Sequence, residues 1–163
     1  MPQLTLPPWD TLPEVELYMD QVVSIIERAL ASLPAGEGKA VTPAMVNNYV
    51  KQKALPPPVK KRYGRGHVAA LFMICTLKRV LSMGEIRTLR GMLLQSRDER
   101  ECYALFCGEL HAALARVTGR EAPAGNREAP GSQEAPRDLQ ALQACCGALA
   151  EKLLAQELLS PEA

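Results

Sequence analysis

Two adjacent amides and a run of cations are the residues in this sequence whose types and spacing invite a chemical reading. Asn47, Asn48 and Lys51 follow the pair Thr42-Pro43. An Asn side chain presents donor and acceptor in one plane, the pattern that pairs bidentately with adenine, and a Lys ammonium suits guanine or phosphate. Downstream, Lys60, Lys61, Arg62 and Arg65 surround Tyr63, a density of donors suited to phosphate oxygens. Thr42 is expected to cap a helix and can also reach a base. Tyr63 is expected to pack its ring inward and to offer its hydroxyl to a phosphate. The plain alternative is a solvent-facing or capping role for the two Asn and a solvated surface for the cations.

The charge map fits both readings. The formal net charge is only +1, yet residues 41–97 hold eleven basic residues and one acid, Glu85. Residues 1–40 hold two basic and six acidic residues, and residues 98–163 hold six and eleven. A local excess of this size is the footprint expected for phosphate contact. It would equally serve docking on an acidic partner or on the acidic ends of the chain itself.

Other chemistries find little support. Of the five cysteines, Cys75, Cys102, Cys107 and Cys146 fit apolar helix faces, and no CxxC pair or Cys/His cluster has zinc spacing. They read as buried, reduced thiols. The two histidines, His67 and His111, lie far apart in sequence, and His67 is expected to cap or orient its helix. No Ser/His/Asp set, glycine-rich phosphate loop or carboxylate pair can be assembled. The expectation is a protein that is not an enzyme, with no catalytic residues, no metal and no cofactor. No basic, apolar leader opens the chain, and the apolar run Val68–Leu77 is too short to span a bilayer. A cytoplasmic protein with no membrane partner is expected.

The elements that must hold the cluster follow from periodicity and caps. Thr11-Leu-Pro-Glu14 reads as a capping box opening a helix to Leu33, with Val22, Ile25, Ile26 and Leu30 on one face. Thr42-Pro43 starts a short helix to about Gln52, stopped by Leu55-Pro-Pro-Pro58. Val59–Gly64 reads as a basic ribbon or loop. An apolar helix then runs from Gly66 or His67 through Leu81. Ser82–Glu85 opens another helix to about Leu94, and Ser96–Glu99 reads as a third capping box, before a helix closed by Gly119. Residues 119–136 repeat Glu-Ala-Pro and read as a flexible linker. Arg137–Leu159 is a last amphipathic helix whose Leu139, Leu142, Cys146, Leu149 and Leu153 form a heptad-like seam, either for a homodimer or for packing on its own domain.

The order of capped helix, proline turn, basic ribbon, apolar helix and capped helix is that of a winged helix-turn-helix. Thr42 to Lys51, with the exit Leu55-Pro56, resembles the recognition helix of MerR-type regulators. In those proteins a Ser/Thr-Pro start leads to Leu-Arg-Tyr-Tyr-Glu. Val46 falls on the Leu and Tyr49 on the second Tyr, while Asn47 and Asn48 depart from the Arg and the first Tyr. Lys61-Arg62-Tyr63 falls on the wing Arg-x-Tyr, and Ser82 to Arg87 on the following helix start. The MerR coiled coil and effector pattern are missing, so inducer binding and promoter untwisting do not carry over. A longer stretch, from Leu6-Pro-Pro-Trp9 through Pro56-Pro-Pro-Val-Lys-Lys-Arg-Tyr63, resembles a bacterial family known only as a domain of unknown function, number 1836.

These readings together predict an all-α fold, a MerR-like winged helix-turn-helix with a small β-wing and extra N- and C-terminal helices. A domain at 1–118, a linker at 119–136 and a terminal helix at 137–159 are expected. Val46, Leu71, Ile74, Leu77 and Ile86 should share a core with the Val22–Leu30 face. The expected function is a DNA-binding transcriptional regulator, contacting double-stranded DNA through Thr42, Asn47, Asn48, Lys51, Lys60, Lys61, Arg62, Tyr63 and Arg65. The alternative is a non-catalytic protein-interaction adaptor on the same scaffold.

Overall fold

The computed structural model describes residues 4–34, 38–120 and 135–161. Within them, six helices run in order: α1 Met19–Leu30, α2 Pro43–Lys51, α3 Arg65–Leu77, α4 Met83–Leu94, α5 Glu99–Thr118 and α6 Arg137–Leu159. Most of the expected linker lies outside the described residues.

α3 organises the molecule because its sequence is apolar on every side. All ten residues from Val68 to Leu77 are buried, and α1, α4, α5 and α6 pack around them. A helix apolar all round is stable only when enclosed. Each fully buried Leu, Ile or Phe here contributes about 1.5–3 kcal/mol. Val46, Leu71, Ile74, Leu77 and Ile86 are inaccessible in one cluster with Val22 and Ile26 of α1. The expected core is therefore present, with Ile25 only partly buried at its edge.

Three helices differ in their bounds from the sequence reading, and α1 also ends at Leu30 rather than Leu33. First, α1 begins at Met19, not near Leu12. Thr11 does not cap Glu14. It closes a short 3-10 turn, Trp9–Thr11, by donating its hydroxyl to Pro8 O at 2.9 Å. The chain then runs to Leu17, whose N–H and carbonyl pair with Tyr63 O and N at 2.9 and 2.8 Å. This path buries both Leu12 and Leu17. α1 starts only where the Gln21 side chain accepts the Tyr18 N–H at 2.9 Å. Second, α5 is boxed by Asp98 and Glu101, not by Ser96 and Glu99. Asp98 accepts the Glu101 N–H at 2.8 Å, and Glu101 accepts the Asp98 N–H at 2.9 Å. Glu99 is instead drawn to Arg90 at 2.7 Å. Third, α3 stops at Leu77, short of the expected Leu81.

The small β-wing also departs from expectation. Among the described residues there is no strand, only two isolated bridges, Leu17–Tyr63 and Val59–Arg62. The segment is too short for a ladder, because Pro56, Pro57 and Pro58 precede it and cannot donate a backbone hydrogen bond.

α6 lies along α5 and α4. Leu142, Cys146, Leu149 and Leu153 are buried there, so the heptad-like seam is filled within the chain. Leu139 is half-buried.

Candidate nucleic-acid interface

α2 is built as its sequence specifies. Thr42 Oγ1 accepts the Met45 N–H at 3.2 Å, and Pro43 occupies the first turn, where its missing N–H costs nothing. Val46 and Tyr49 are buried. Ala44, Asn47, Asn48 and Lys51 are exposed, and their spacing makes one stripe along the opposite side. The helix ends in a Schellman pattern. Ala54 N–H donates to Tyr49 O, and Lys53 N–H to Val50 O, both at 3.0 Å. Lys53 holds the left-handed position at φ 60°, where glycine is usual.

Beneath α2, Lys78 anchors the helix to the core. Its ammonium donates to the Tyr49 hydroxyl at 3.2 Å and to Ala40 O, just ahead of the Thr42 cap. Burial raises the Tyr49 hydroxyl above its ordinary value, so it stays protonated.

After the prolines, the chain reverses at Val59–Arg62, whose backbones exchange hydrogen bonds of 3.1 and 3.0 Å. The two tip residues, Lys60 and Lys61, have φ of 50° and 62°, as a two-residue turn of the I′ kind requires. Both side chains are exposed. Among the described residues, no carboxylate forms a salt bridge with Lys51, Lys60 or Lys61.

Arg62 and Arg65 are placed differently. Arg62 reaches Glu16 at 3.6 Å and lies over the Tyr18 ring. Arg65 donates to Leu12 O at 3.1 Å, pairs with Glu14 at 3.3 Å and stacks on Trp9. It is partly buried and ties the N-terminal segment to α3. Tyr63 is also buried, edge-on to His67, and burial raises its hydroxyl. His67 Nδ1 accepts the Gly64 N–H at 3.0 Å. The ring proton therefore sits on Nε2, which faces Pro57 O at 3.0 Å. The imidazole thereby fixes the proline run to the start of α3.

Two further cations join this surface without having been singled out in the sequence. Lys53 and Arg87 line a cleft of about 230 Å³ beside the end of α2, with Arg90 also on its wall. Arg87 follows the Ser82–Glu85 cap on a solvent-facing turn of α4. Only the positive block of residues 41–97 hinted at it. Arg90 is buried and satisfied by Glu99.

Elsewhere, burial pushes the thiols of Cys75, Cys102 and Cys107 up to about 11, so these sulfurs are protonated at neutral pH. Among the described residues, no three His, Cys, Asp or Glu side chains are grouped to hold a metal ion. No described helix is long and apolar enough to cross a membrane.

No curated protein and no solved structure matches the sequence. The family match begins ahead of the Trp9 turn, takes in α1 to α4 and ends within α5. On that match, over residues 7–106, the chain belongs to the family described as Domain of unknown function (DUF1836).

Proposed function

We propose that the protein binds duplex DNA as a cytoplasmic, non-enzymatic transcriptional regulator, in the manner of a winged helix-turn-helix with a two-lysine tip for a wing. α2 enters the major groove, with Asn47 and Asn48 reading bases and Lys51 on a base or phosphate. Lys60 and Lys61 grip phosphate, and Arg62 joins them when it releases Glu16. Thr42 acts first as the cap of α2. Tyr63 and Arg65 act as struts.

The observation that carries this reading is the pairing of an exposed Asn47/Asn48/Lys51 stripe with tip lysines that have no acid partner among the described residues. An interface needs exposed groups whose hydrogen-bonding capacity is unspent, and these are such groups. A protein-acid partner is the second reading. It is favoured by one fact: Arg62 and Arg65 already pair with the carboxylates of Glu16 and Glu14.

The experiment is selection of bound sites from random duplex DNA with the purified full chain. An enriched motif is expected, weakened for Asn47→Ala or Asn48→Ala by about 1–3 kcal/mol of base discrimination. Failure to enrich any motif, with no duplex binding at low salt, rejects DNA and leaves the adaptor.

A further inference from the structure

A second concentration of positive charge lies on the far side of Tyr49, in a cleft of about 480 Å³ between α1, the approach to α2, the end of α3 and α6. Lys39, Lys78, Arg79 and Lys152 line it, against one acid, Glu27, among the described residues. Among the described residues, the bonds these cations make go to neutral groups, mostly carbonyls. Lys78 donates to Ala40 O, Arg79 to Pro34 O at 3.1 Å, and Lys152 to Arg79 O at 2.6 Å. The negative end of α3 offsets only about half a charge. Among the described residues, the cleft therefore keeps a positive excess.

Behind this lining, Arg79 Nε and Gln156 Oε1 are buried with no hydrogen-bond partner among the described residues. Burial lowers the Arg79 guanidinium from its ordinary value. The rest of the lining is apolar, including Leu30, Leu33 and Met45.

We infer that this cleft binds a small organic anion, a phosphate or carboxylate group carried on an apolar body, and that occupancy is felt by α2 through Lys78. An anion that draws the Lys78 ammonium competes with its bonds to Tyr49 and Ala40, two of the contacts that seat α2. The consequence for duplex affinity rests on the DNA reading. The site itself does not.

The test is a nitrogen-15 NMR titration of the full chain with phenyl phosphate, with inorganic phosphate alone for comparison. Saturable shifts are expected at Lys39, Ala40, Lys78, Arg79 and Gln156, and at Tyr49 on α2. Phenyl phosphate should bind about tenfold tighter than phosphate, because its ring is buried. Lys152→Glu, on the exposed rim, should weaken binding about tenfold or more. Arg79→Met is the second variant should that one misfold. Equal affinity for the two anions, or unchanged binding by a folded variant, overturns the site. Binding that leaves the Tyr49 amide still overturns the link to α2. A chain that shows these shifts but binds no duplex retains the site and loses only the DNA reading.

Discussion

Lys60 and Lys61 carry the account at the scale of single residues, because their backbone is strained where their side chains are wanted. A non-glycine residue in the left-handed region costs about 1–2 kcal/mol, since its Cβ crowds the following carbonyl oxygen. Asn-Gly is the pair such a turn prefers. The double variant Lys60→Asn/Lys61→Gly should therefore gain about 1–2 kcal/mol in urea unfolding, at an unchanged slope, while binding duplex DNA more weakly. Destabilisation would show that the turn is not strained. Arg90 makes the opposite case. It is 4% exposed and held by Glu99. Glu99→Ala should cost about 3 kcal/mol, because a buried guanidinium is left uncompensated. Caps were legible at this scale wherever local spacing decided them, as at Thr42 and Ser82. Thr11 and Ser96 carried the same spacing and failed. Tertiary partners decided those two: the Leu17–Tyr63 bridge straightened one segment, and Arg90 took Glu99 from the other. The role of Arg65 was not legible, because its partners Leu12 and Glu14 lie about fifty residues away in sequence.

At the scale of elements, helical periodicity found α2, α4 and α6 to within a residue or two, and the apolar run found α3. Periodicity could not say what the α6 seam faces, since a dimer and an intramolecular pack use the same spacing. The structure fills that seam with α4 and α5. Leu149→Ala should accordingly cost about 2–5 kcal/mol and leave the mass measured by light scattering unchanged. A loss of dimer instead would assign the seam to a second copy. The start of α6 is clamped by Arg97 on Asp138. That hydrogen bond, chiefly, holds the Asp138 carboxyl below its ordinary 3.8. The folded state then binds this proton less readily than the unfolded one. The clamp's contribution is complete above 3.8 and is lost as pH falls through the depressed folded value. Arg97→Met should thus be less stable than the parent at pH 7, and the gap should close below about pH 3.8 in urea unfolding at each pH. A gap independent of pH would mean that Arg97 acts through packing alone.

Across the whole molecule, the charge segregation seen in the sequence is partly spent and partly kept. The acidic N-terminal segment reaches back to the cations, with Glu14 on Arg65, Glu16 on Arg62 and Asp10 on Arg100. Composition alone could not show which cations this would occupy. Lys51, Lys60 and Lys61 stay exposed and outside these pairs. The central claim is that this remaining set contacts phosphate. It is tested most directly by duplex binding measured across a series of salt concentrations, for the parent chain and for Lys60→Ala/Lys61→Ala with its fold checked by circular dichroism. Each phosphate contact contributes a slope of about −0.9 in log K against log salt. The account predicts salt-dependent binding by the parent and a slope flattened by up to about 1.8 in the variant, with the preferred sequence retained. A parent that binds no duplex at low salt, or a variant whose slope is unchanged, would contradict it.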